Sequence, residues 1–336
     1  MAQEPTHPLL SLPDDEIVEK IREMNLEEII EFSLFSERTN NLVKSAKMQG
    51  TNVMLKINLF DFIVRFKLEN HECSLTFLYG RTGIIPLEVK ISYDTGPRFP
   101  IEKTIRRDRF GVEDWMEHFK TIFNFRHTDS IEYNDDLGNY DPVDIKKYFG
   151  VPSSLTIGST RNYAHSQVVL QTFLSVDSLT IEPSLFQNSK IPPELLIQNF
   201  KLLRIKAEFD PDSITLDELL MMNSKAIDIR RARMGPKDIN KFIQLWQHGA
   251  NSQMEYLFIY FESEREDTEE IIRKGISFLE MPENERRVFR FAGYRDDEKV
   301  EGGMDIWRND GVKATVQFGD HWDCFEMFVW FDHCIV

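Results

Sequence analysis

Four side chains near the end of the sequence are of metal-binding type: His321, Cys324, His333 and Cys334, all within fourteen residues. Their spacing is His-x-x-Cys, then eight residues, then His-Cys. Adjacent His333 and Cys334 are poorly placed to share one tetrahedral ion, and no Cys-x-x-Cys pair accompanies them. The spacing therefore favours residues of a terminal strand, with no metal and no cofactor. A metal-dependent enzyme built on these C-terminal His and Cys residues is a competing reading. A second set is basic and aromatic. Arg204, Lys206, Arg230, Arg231 and Arg233 gather at the exits of neighbouring predicted strands, and Tyr256, Phe258 and Tyr260 share one face of the next. Such a surface suits capture of an acidic segment of a protein substrate. The competing view is that the arginines pair with local acids and the aromatics pack under the terminal sheet. No nucleophile elbow, phosphate-binding loop or dinucleotide fingerprint occurs, so no catalytic residue is assigned.

Charge narrows the partners. The chain of 336 residues carries 40 basic and 56 acidic side chains, a net charge of −16. That balance argues against nucleic acid, whose phosphates need Lys and Arg. No apolar run is long enough for a membrane helix, and the first residues lack a basic region followed by an apolar core. Three cysteines, odd in number, fit a reducing compartment, cytoplasm or nucleus.

The elements that must position these residues follow from periodicity. Val53, Leu55, Ile57 and Leu59 alternate with other residues, as do Phe62 to Leu68, Leu75 to Tyr79 and Leu87 to Tyr93. Period two means strands with one buried face, here an antiparallel meander over 51–93. Residues 95–111, with Arg106, Arg107 and Arg109, read as a loop. Val112, Trp115, Met116, Phe119, Ile122 and Phe123 form a helical stripe. Short strands then begin at Ser130, Ser154, Ser178, Leu202 and Ala226, 24 residues apart each time, and a sixth begins at Tyr256. Helical segments lie between most of them: 142–149, 167–174, 193–200, 216–222 and 236–246. One strand and one helix per fixed period resembles a divergent leucine-rich-repeat-like solenoid, and an ordinary α/β domain is the alternative. Leu155, Ile157, Leu179, Ile181, Leu203, Ile205, Ile227 and Ile229 would point under the helices. Glu132, Thr156, Thr180, Arg204, Asp228 and Phe258 would point away. A helix over 269–278 and strands over 288–294, 304–308, 312–318 and 325–331 complete the chain, with Asn309-Asp-Gly311 as a hairpin turn.

The first residues read as three short helices. Pro13 with Asp14, Asp15 and Glu16 opens the first, Asn25 with Glu28 caps the second, and Ser36 caps the third. The second carries Leu26, Ile29, Ile30 and Leu34 on one side and Phe32 and Phe35 on the other, so it must be covered on more than one side. The run Pro8, Leu9, Leu10, Leu12, Pro13, then Ile17, Ile21, Met24, Leu26 and Ile29, ending in Phe32-Ser-Leu-Phe-Ser-Glu-Arg-Thr-Asn-Asn-Leu-Val-Lys-Ser45, closely resembles the F-box. Its ending is similar to the nematode version, with Thr39 where many F-boxes carry Trp. Ile214-Thr-Leu-Asp-Glu-Leu-Leu-Met-Met-Asn-Ser224 and Pro236-Lys-Asp-Ile-Asn-Lys-Phe-Ile-Gln-Leu-Trp-Gln-His-Gly-Ala-Asn251 resemble the F-box-associated region that lies downstream in such proteins.

The resemblance implies a non-catalytic subunit of a Skp–cullin–F-box type ubiquitin ligase. The F-box would dock on a Skp-type adaptor, and through it a cullin, by Pro8, Leu10, Leu12, Pro13, Ile17, Leu26, Ile29 and Leu34. The rest would hold a target protein. A repeat-like scaffold without a ligase, capped by residues 8–45, is the alternative, since solenoids need end caps. The expected fold class is α/β, α+β overall. The expected divisions are a disordered tail (1–7), the F-box (8–48), the antiparallel strands (51–93), a loop and helix (94–129), the strand–helix region with the F-box-associated domain (130–262), and a C-terminal helix and β meander (263–336).

Overall fold

The computed structural model describes residues 7–58, 61–68, 71–78, 88–93, 101–107, 110–134, 141–158, 162–206, 214–260, 268–282, 284–291, 297–319 and 324–336. It is mixed α/β and divides into two compact units, residues 1–153 with 168–174 and residues 154–167 with 175–336.

In the first unit the three N-terminal helices are α1 (Asp14–Glu23), α2 (Leu26–Phe35) and α3 (Glu37–Ser45). The caps form as their residue types dictate. Asn25 Oδ1 accepts from Glu28 N at 3.0 Å while Glu28 Oε2 accepts from Asn25 N. Ser36 N donates to Thr39 Oγ1 at 2.9 Å, and Thr39 is buried. These reciprocal bonds satisfy helix-end donors that would otherwise be orphaned.

Strands β1 (Gly50–Ile57), β2 (Asp61–Leu68), β3 (His71–Leu78), β4 (Glu88–Tyr93) and β5 (Ile101–Arg106) form an antiparallel meander. Helix α4 (Val112–Ile122) follows, then β6 (Ser130–Tyr133), parallel to β1, and α5 (Pro142–Phe149). The order is β6-β1-β2-β3-β4-β5. Trp115, Phe119, Phe123, Phe62, Phe66 and Phe77 are closed from solvent and form the core. β5 corrects the expected loop over 95–111. Ile101, Lys103 and Ile105 share one face of that strand, and Lys103 breaks the apolar alternation. The lysine is satisfied by ion pairs to Glu27 and Glu31 of α2, so a position that reads as polar loop belongs to a strand.

The second unit holds β7 (Ser154–Ile157), α6 (Tyr163–Phe173, whose end counts with the first unit), β8 (Ser178–Ile181), α7 (Pro193–Leu196), β9 (Leu202–Lys206), α8 (Leu216–Met221), β10 (Ala226–Arg230), α9 (Pro236–Gln247) and β11 (Tyr256–Tyr260). It continues with α10 (Thr268–Arg273), β12 (Leu279–Glu280), β13 (Arg286–Phe289), β14 (Glu298–Glu301), β15 (Met304–Trp307), β16 (Lys313–Phe318) and β17 (Cys324–Val329). Strands β7 to β11 are parallel, and β17, β16, β15 and β12 extend the sheet antiparallel beyond β11. Leu155, Ile157, Leu179, Ile181, Leu203, Ile205, Ile227, Ile229, Leu257 and Ile259 are buried. The β13–β14 ribbon covers part of the opposite face: Phe289, Phe291 and Val300 pack with Leu202, Ala226, Tyr256, Phe328 and Trp330.

Several predicted boundaries shift. The helix expected over 193–200 is the single turn of α7. The helix expected over 269–278 stops at Arg273, where Gly275 takes a φ of +74°. The strand expected over 288–294 is β13, ending at Phe289, and residues 292–294 lie outside the described residues.

Candidate functional site

The parallel strands of the second unit are in register, so every second residue builds a row across the sheet. One row runs Thr156, Thr180, Arg204, Asp228, Phe258, Glu326. Its centre is Asp228, whose side chain is 1% exposed. Arg204 Nε donates to its Oδ2 at 2.7 Å, and Arg230 Nε donates to its Oδ1 at 2.8 Å. Two guanidinium groups thus share one buried carboxylate, a charge-assisted arrangement that fixes both planes. The Arg230 guanidinium lies 4.3 Å from the centre of the Phe258 ring, a cation–π contact.

Of the expected capture residues, Arg230, Arg231 and Arg233 are exposed, and Arg204, Lys206, Phe258 and Tyr260 are half-buried. Tyr256 departs from expectation. It is buried, stacked on Phe291 at 4.6 Å, and its hydroxyl donates to Glu326 Oε1 at 3.4 Å. The aromatic run of β11 faces an apolar ribbon at its start, so Tyr256 belongs to the core. Burial, and next the Glu298 carboxylate, push the Glu326 acid above its usual range.

The N-terminal set divides in the same way. Pro8 and Pro13 are exposed, and Leu10, Leu12 and Leu34 are half-buried. Ile17, Leu26 and Ile29 are 0%, 4% and 2% exposed. Those three are almost closed from solvent where they hold the helices together. Helix α2 is gripped by its own unit. Arg107 Nη1 donates to Leu34 O at 2.6 Å, and buried Ser33 Oγ lies 2.8 Å from His118 Nε2 of α4. Ser33 Oγ also donates to Ile30 O at 2.7 Å, so its proton is committed and His118 serves as the donor. This Ser–His pair is a fastening and is unsuited to nucleophilic chemistry. Burial, then Arg107 and Lys44, press the His118 pKa down to about 4. A cleft of about 240 Å³ opens beside α2, lined by Met24, Leu26, Ile29, Leu68, Cys73 and Tyr93. Burial raises the Cys73 thiol to about 12, which keeps it protonated.

The C-terminal His and Cys residues do not assemble as spaced. His321 lies outside the described residues, and Cys324 sits at the start of β17. His333 and Cys334 instead meet Glu255, the residue before β11. Their ligand atoms lie within 4.8 Å of one another. His333 Nε2 is 2.9 Å from Glu255 Oε1, and Lys225 Nζ donates to the same oxygen at 2.8 Å. Glu255 escapes sequence reasoning because it is a lone acid 78 residues from His333. Its only signal is a charged side chain immediately before an apolar strand.

Residues 191–259, from the approach to α7 to near the end of β11, match the family described as F-box associated. Neither the curated proteins nor the solved structures contain a significant match to the chain.

Proposed function

We propose that the protein is a substrate-recognition subunit of a Skp–cullin–F-box type ubiquitin ligase. The observation that carries this reading is the match of residues 191–259 to the F-box-associated family, downstream of three N-terminal helices, two of them closed by capping boxes. Pro8, Leu10, Leu12, Pro13 and Leu34 supply the accessible part of the adaptor contact, and Ile17, Leu26 and Ile29 keep that contact in shape from beneath. The divergent strand–helix region supplies target capture, with Arg230, Lys206, Phe258 and Tyr260 as its accessible basic–aromatic element. The subunit acts by tethering: holding a target near the charged ubiquitin carrier raises the effective concentration of its lysines. No catalytic group is required of the chain itself. The work place is the cytoplasm or nucleus; no helix among the described residues is long and apolar enough to cross a membrane.

Affinity purification of the full chain from cells with the proteasome inhibited tests this. A Skp-type adaptor, a cullin and ubiquitinated proteins should co-purify. Recovery of the chain without the adaptor would reject the ligase role. A second reading, a repeat-like scaffold capped by residues 8–45 without a ligase, draws on the burial of Ile17, Leu26 and Ile29. Under it, removing the first 49 residues would leave an insoluble chain.

A further inference from the structure

Glu255, His333 and Cys334 offer oxygen, nitrogen and sulfur donors from two segments far apart in the sequence. All three ligand atoms fall within 4.8 Å of one another. Carboxylate, imidazole and thiolate together are the donor set of a tetrahedral divalent site that keeps one open position, and a sulfur ligand favours zinc over calcium or magnesium. The sulfur needs to approach by about 1 Å to reach zinc–ligand spacing, while His333 Nε2 and Glu255 Oε1, 2.9 Å apart, separate slightly.

The supporting backbone is already tied down. Glu255 N donates to Lys225 O at 2.7 Å, and Val329 N donates to Glu255 O at 2.9 Å. Cys334 N donates to Phe331 O at 2.8 Å, and Arg290 N donates to Cys334 O at 2.9 Å. Glu255 and Cys334 are 1% and 0% exposed, whereas the His333 side chain is 62% exposed, so the open position faces water.

We propose that Glu255, His333 and Cys334 form a zinc site that clips the last residues of the chain to the start of β11. On binding, the Cys334 thiol loses its proton to solvent and its sulfur lone pair goes to the metal. His333 gives up its hydrogen bond to Glu255 Oε1 and ligates through Nε2 in the neutral form. Glu255 contributes one carboxylate oxygen. Lys225, whose side chain is 46% exposed, moves off that carboxylate into water, so it competes with the ion. The site differs from the arrangement that spacing alone suggests in two ways: the turn over Asp332–Cys334 brings the ligand atoms of adjacent His333 and Cys334 within 4.8 Å of each other, against what adjacency implies, and Glu255 takes the place of His321 and Cys324.

The test is titration of the chelator-stripped full chain with Co²⁺, reading the thiolate-to-cobalt charge-transfer absorption, then displacing it with Zn²⁺. One equivalent is expected, with loss of the band in Cys334→Ser and Glu255→Gln. Loss is also expected in His333→Ala, which removes an exposed ring and leaves the core intact. Cys324→Ser and His321→Ala should bind as the parent does, and Lys225→Met should bind more tightly. No band in the parent, or a band that survives Cys334→Ser or His333→Ala, would overturn the proposal. So would a band lost in Cys324→Ser.

Discussion

Single side chains carry two measurable consequences. His118 is held neutral in the folded protein, with its pKa pressed from 6.5 to about 4. The unfolded chain therefore binds a proton that the folded chain refuses as pH falls below about 6.5, and stability drops through that window towards pH 4. The expected loss is about 2 kcal/mol between pH 7.5 and pH 5, and His118→Gln should flatten it. Urea unfolding at the two pH values checks this; equal slopes in parent and variant would contradict it. Asp228 is the second case. Asp228→Ala leaves the Arg204 and Arg230 groups without their shared acceptor, and both are exposed enough to recover water in part. The expected cost is about 1–3 kcal/mol, smaller for Asp228→Asn. What the sequence alone conceals at this scale is pairing. The alternation places Arg204 and Asp228 on one face, but nothing in their types says that one carboxylate serves two arginines. Glu255 and His333 meet only through the topology.

Elements were legible wherever one physical rule acted alone. The strands at Ser130, Ser154, Ser178, Leu202 and Ala226 begin where the period places them, because each needs only two inward apolar residues between helices. β5 was hidden because Lys103 occupies an apolar slot and is compensated by acids from α2. The α10 boundary was overrun because Ile276 continues the apolar stripe past Gly275. The turn from β14 to β15 depends on Gly303, whose φ is +100° and whose added Cβ would lie 2.6 Å from Val316 O. A backbone oxygen cannot yield, so Gly303→Ala should destabilise the second unit by about 1–3 kcal/mol. Thermal melting checks this, and an unchanged midpoint would contradict it. In the first unit, Trp115→Ala opens a cavity in a fully buried aromatic cluster and should cost about 3–5 kcal/mol.

For the whole molecule, the charge balance argues against nucleic acid, the resemblance of residues 8–45 to the F-box implies a protein-binding role, and residues 191–259 match the family described as F-box associated. For the proposed docking face, a helical stripe tells which residues are apolar, not which are already used by the chain's own core. Burial separates the two groups, and that separation makes the ligase role testable without unfolding the protein. Ile17→Asp would wreck the helices and prove nothing, whereas Leu10 and Leu12 precede α1 and are half-buried. The most direct measurement is co-purification of the full chain with a co-expressed Skp-type adaptor, for the parent and for Leu10→Asp with Leu12→Asp. The expected result is a stoichiometric complex for the parent and none for the double variant, with unchanged circular dichroism. A parent chain that elutes alone, or a double variant that still holds the adaptor, would contradict the assignment.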